Sequence, residues 1–155
     1  MGSAPANAAK PPPPEPLVIT DVYPDPGAIN VPLPDPPAAL VTFNQPELLR
    51  NSRTRCELFA RLINLNTGED VTEFVSCQTG FDEFGVPTPI IMVIQPTEPI
   101  PGFTLFECGT TYEVIVGGKG RRAVKSLARE PISEVPEGVN LDGSVATWTF
   151  TTVPC

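Results

Sequence analysis

Four cysteines and the absence of any histidine bound the chemistry open to this chain. Cys56, Cys77, Cys108 and Cys155 lie too far apart for the Cys-x-x-Cys pairs of zinc sites and thioredoxin-like centres, and no imidazole can complete a metal shell. Without histidine there is also no side chain whose ordinary pKa suits general base work near neutrality. No Gly-x-Ser-x-Gly elbow and no phosphate-cradling glycine loop occurs, and no spacing singles out a catalytic pair among the carboxylates. The expectation is a protein that is not an enzyme and needs no cofactor. Its cysteines are then read as two disulfides made in an oxidising compartment.

Three other groups are candidates for binding. Asp21, Asp25 and Asp35 cluster near the opening turns, where their hard oxygens make them weak candidates for calcium, although no EF-hand spacing supports them. Lys119, Arg121, Arg122, Lys125 and Arg129 are five of the 10 basic side chains, and together they form a candidate surface for an acidic glycan or a neighbouring acidic subunit. In the 79–88 loop, Phe81 and Phe84 have the faces to stack on a sugar, or else fold back onto the core. The whole chain carries a net charge of −8, which repels phosphate backbones and anionic membranes and argues against nucleic acid as a partner. No apolar run is long enough to span a bilayer as a helix, so no direct membrane insertion is expected.

These groups need a scaffold, and its composition points to strands. Proline at 21 of 155 residues disfavours long helices and suits turns and sheet edges. Residues 1–16, with Pro11 to Pro14, are read as an extended, disordered linker; an export signal is presumed to have been removed before them. Residues 17–155 are read as one domain. Strands are predicted at 17–23, 39–44, 54–64, 71–78, 89–95, 109–117 and 145–153, with Ala39, Val41 and Phe43 on the apolar face of the second. Residues 31–36, broken by proline, are expected along an edge.

Two pairings follow from register. A two-residue turn at Asn66-Thr67 places Cys56 opposite Cys77 across a hairpin. Setting Tyr112 opposite Thr151 and Val114 opposite Thr149 brings Cys108 beside Cys155. Between those last strands, 121–130 has Val124, Leu127 and Ala128 at helical spacing, which predicts one short helix, with 131–144 as loop.

Three ordered stretches carry a family resemblance. Tyr23-Pro24-Asp25-Pro26-Gly27-Ala28-Ile29-Asn30-Val31-Pro32, then Ala39-Leu40-Val41-Thr42-Phe43-Asn44-Gln45-Pro46, then Gly109 to Val116 followed by Trp148-Thr149-Phe150-Thr151-Thr152 resemble the bacterial Ig-like domains of the S-layer protein SbsA type. The set spans residues 17–153. The resemblance implies an all-β, immunoglobulin-like antiparallel sandwich of about seven strands, in which Tyr112 takes the tyrosine-corner position and Trp148 is a core or rim anchor. The long segment 118–144 and the Cys56/Cys77 hairpin depart from the family pattern.

The expected function is that of a secreted or cell-surface structural or spacer module in a bacterial surface protein, layer or fibre, with neighbouring domains or subunits as partners. Two alternatives stand beside it. One is a glycan-binding adhesin using 118–144 or 79–88; the other is a self-assembling filament subunit whose N-terminal tail completes a neighbour's sheet edge.

Overall fold

The computed structural model of the chain describes residues 16–32, 38–48, 59–97, 106–118, 124–126 and 129–155. Among these residues, ten strands form two sheets: β1 (Leu17–Tyr23), β2 (Ala39–Phe43), β3 (Ala60–Asn64), β4 (Glu69–Asp70), β5 (Thr72–Gln78), β6 (Ile91–Pro96), β7 (Thr111–Val116), β8 (Ile132–Glu134), β9 (Asn140–Asp142) and β10 (Val145–Thr151). One sheet runs β5-β6-β2-β1-β8 and the other β4-β3-β7-β10-β9. With β4, β8 and β9 set aside, the remaining seven strands have the immunoglobulin order, first, second, fifth and fourth in one sheet and third, sixth and seventh in the other. The chain is an all-β, immunoglobulin-like sandwich.

Period-two alternation builds the core. Ala39, Val41 and Phe43 of β2, Met92 and Ile94 of β6, Val114 and Val116 of β7, and Ala146, Trp148 and Phe150 of β10 all point inward and are buried. In β1 a bulge between Ile19 and Asp21 shifts the alternation, so that Leu17 and Ile19 face the core before it and Val22 after it.

Four expectations need correction. The 66–67 turn has the expected register, with Asn64 opposite Glu69 and Ile63 opposite Asp70, but the hairpin stops there. The chain then crosses to the other sheet, where β5 pairs with β6 and Cys77 stands opposite Met92. The crossing is held by Thr72, whose hydroxyl accepts the Leu62 N–H at 2.7 Å.

The register of the last two strands is displaced by one residue: Tyr112 stands opposite Phe150 and Val114 opposite Trp148. Opposed residues share a face, so this pairing matches large apolar side chains with one another, whereas the expected one set Tyr112 and Val114 against threonines.

No helix occurs among the described residues. Lys125 bridges Pro131 and Ser126 bridges Leu48, and Val124 and Ser126 are fully buried. The Ser126 N–H donates to the Glu130 carbonyl at 2.9 Å, the reverse of the helical direction, and Arg129 at φ 65° closes the turn. Alternate burial about Lys125 outweighed the helical spacing read from the sequence.

Segment 131–144 is not plain loop either. It supplies β8, which pairs parallel with β1, and β9, which pairs with β10. One insertion thus covers an edge of each sheet.

Candidate functional site

At one end of the sandwich, Tyr112 lies at the start of β7 with its ring edge-on to Phe106 at 5.0 Å and stacked on Phe150 at 5.4 Å. Its hydroxyl accepts the backbone N–H of Glu107 at 2.7 Å, five residues upstream, which is the tyrosine corner. Burial pushes the phenol above its ordinary value of 10.0; the Glu107 backbone bond opposes this and the Glu107 charge adds to it. Beside it, the Thr152 hydroxyl accepts the Thr110 N–H at 3.0 Å and donates to the Glu107 carbonyl at 2.6 Å. Buried Asn64 accepts from Asn66 and Thr67 and donates to the Glu107 carboxylate at 3.3 Å. Among the described residues, no buried side-chain nitrogen or oxygen lacks a hydrogen bond.

A cavity of about 160 Å³ opens here, lined by Asn64, Thr67, Glu69, Val71, Thr97, Glu107 and Tyr112. Its two carboxylates suit a water or another small hydrogen-bond donor. Nothing in the sequence pattern singled it out, because Glu69 and Glu107 are brought together only by the β3–β4 turn and the approach to β7.

Cys108 and Cys155 are joined in a disulfide across a sequence separation of 47. Cys77 is also disulfide-bonded, and Cys56, its expected partner, lies outside the described residues. Asp21 and Asp25 are exposed and Asp35 lies outside the described residues; among those described, no three acidic or thiol groups converge as a metal site would require. Of the basic group, Lys119, Arg121 and Arg122 also lie outside them. Lys125 is half-buried in its bridge to Pro131, and Arg129 is exposed at the turn.

Phe81 and Phe84 do not fold back. They are 71% and 82% exposed, with Val86 at 55%, on an ordered arm that prolongs the β5–β6 hairpin. Asp82 sets the tip: its N–H donates to the Val86 carbonyl at 2.9 Å, and its Oδ1 accepts the N–H groups of Phe84 and Val86. Gly85, at φ 77°, completes the turn in a conformation a side chain would strain. The spacing Asp82-x-Phe84-Gly85 was the legible signal for this turn.

No family model matches the chain, and no curated protein or solved structure does either. Its function is therefore argued from its own geometry.

One further arrangement bears on function. After β1 the chain leaves its sheet at Pro24, whose carbonyl accepts the Trp148 indole N–H at 3.0 Å, and then runs along β10. Gly27 donates to Thr149, Thr151 to Ala28, Val31 to Thr151 and Val153 to Val31, at 2.7 to 3.0 Å, and Val31 pairs with Thr152 in parallel. Because the two segments are parallel, the chain enters this patch at one end and leaves it at the other.

Proposed function

We propose that the chain is a non-catalytic, extracellular structural module, a spacer within a bacterial surface protein, layer or fibre. The observation that carries this reading is the parallel patch between 27–31 and 149–153. Tension along the chain loads its four backbone bonds together in shear, where an antiparallel closure at the same place would peel one bond at a time. The Cys108–Cys155 disulfide fits an oxidising location outside the cytosol. The resemblance to Ig-like domains of the SbsA type supports the same assignment.

The adhesin reading, where it rests on 79–88, has the exposed Phe81 and Phe84 with the exposed carboxylate of Glu83 between them, but few other polar side chains of the arm are left to meet a sugar. On the arm, Thr79 donates to the Pro46 carbonyl, Thr88 accepts from Gly80, and Asp82 is committed to its own turn.

Single-molecule stretching of a tandem array tests the spacer reading. The expected trace shows each module opening in one abrupt, high-force step; gradual peeling at low force would overturn it.

A further inference from the structure

The start of β1 and the arm between β5 and β6 leave the same end of one sheet: Gln78 stands opposite Ile91, Ile91 opposite Thr42, and Phe43 opposite Ile19. Gln45 ties the two together. Its side-chain amide donates to the Pro16 carbonyl at 3.1 Å, beside that of Asn44 at 3.0 Å, and its backbone carbonyl accepts the N–H of Ile90 at 2.9 Å, at one root of the arm. The next carbonyl, that of Pro46, accepts the hydroxyl of Thr79 at 2.8 Å, at the other root. The segment preceding Pro16 therefore sets out from beside the base of the arm. Along the arm Phe81 comes first and Phe84 stands at the tip, 71% and 82% exposed. The tip also carries Asp82 and Glu83, and no basic side chain occurs anywhere in 79–88.

We infer that residues 10–15, Lys10-Pro11-Pro12-Pro13-Pro14-Glu15, which lie outside the described residues, cover the aromatic side chains of the arm. Successive prolines favour the polyproline II form, which aromatic side chains recognise and which loses little entropy on docking. At ~3.1 Å per residue this segment reaches about 19 Å, and the arm from Thr79 to Phe84 spans about 17 Å at ~3.3 Å per residue. With a turn of about three residues, Pro11 and Pro14 share one face. Counting outward from Pro16, Pro14 comes within reach of Phe81 and Pro11 within reach of Phe84, and Lys10 then arrives at the acidic tip beside Glu83. The tether favours this occupant over a free apolar partner, because a segment anchored at the base of the arm is present there at a roughly millimolar effective concentration.

Nuclear Overhauser contacts in the isotope-labelled full chain test this. The expected result is contact between the rings of Phe81 and Phe84 and the ring protons of Pro14 and Pro11, unchanged on dilution. Phe84→Ser, at an exposed position that leaves the Tyr112–Phe150 contacts in place, abolishes the contacts to Pro11. Lys10→Glu lowers their intensity, and Arg61→Glu on the other sheet does not. Three results overturn the proposal: no contact from either ring to residues 10–15, contacts found only between differently labelled molecules, or contacts that Lys10→Glu and Arg61→Glu affect alike. None of them touches the spacer reading, which rests on the parallel patch.

Discussion

Tyr112 joins three parts of the molecule through one side chain. Its ring fills the core beside Phe106 and Phe150, and its hydroxyl satisfies the Glu107 N–H at the turn into β7. Tyr112→Phe keeps the ring but leaves that N–H without its acceptor, which should cost about 1–3 kcal/mol in urea unfolding at neutral pH. The raised phenol pKa gives a second signature. An unfolded chain ionises first, near 10.0, so this tyrosine's contribution is whole below that pH and declines as pH climbs through the folded value. The wild type should therefore lose stability more steeply above pH 10 than Tyr112→Phe, and equal slopes would contradict the assignment. The role of this residue was legible through the resemblance to Ig-like domains, which places a tyrosine corner at the entrance to this strand. Asn64 was not: its burial and its bond to Glu107 depend on a turn and a strand distant in sequence.

At the scale of elements, inward-facing residues of the main strands could be read from alternation, as Ala39, Val41 and Phe43 show. The fate of 118–144 could not. Its short strands take their identity from the edges they cover, which lie on β1 and β10, and a local pattern such as Val124, Leu127 and Ala128 has no access to those partners. The one-residue displacement of β7 against β10 has a similar origin: opposing the cysteines was a weaker guide than opposing Tyr112 with Phe150. The insertion leaves β7 at Gly117, where φ is 91° and an added Cβ would stand 2.5 Å from the backbone oxygen of Ser144. Gly117→Ala should destabilise the domain by at least about 1–2 kcal/mol, from the left-handed backbone alone, with the contact adding more. Thermal unfolding checks this; an unchanged midpoint would mean that the return at Ser144 is not held as described.

For the whole molecule, stability and mechanics separate. The Cys108–Cys155 bond closes a long loop, and on the chain-entropy model Cys155→Ser should lower stability by about 4 kcal/mol. The same bond sets how far a stretched module extends. While it is intact, the 47-residue separation between its cysteines cannot be drawn out after the sandwich opens, so Cys155→Ser should lengthen each step by that segment. An unchanged step length would show that the opened module does not retain this loop.

The parallel patch is the central element of the functional account, and Val153→Pro addresses it directly. Proline removes the N–H that donates to the Val31 carbonyl at 3.0 Å, one of the four bonds loaded in shear. Its equilibrium cost should be modest, about 1 kcal/mol, as for any single backbone bond. The deciding measurement is the force at which wild-type and Val153→Pro modules open when pulled from their two ends. The account predicts a clear fall in opening force for the variant, out of proportion to its small loss of equilibrium stability. Equal opening forces would contradict it, because the load would then be borne elsewhere and the geometry at 27–31 and 149–153 would have no mechanical role.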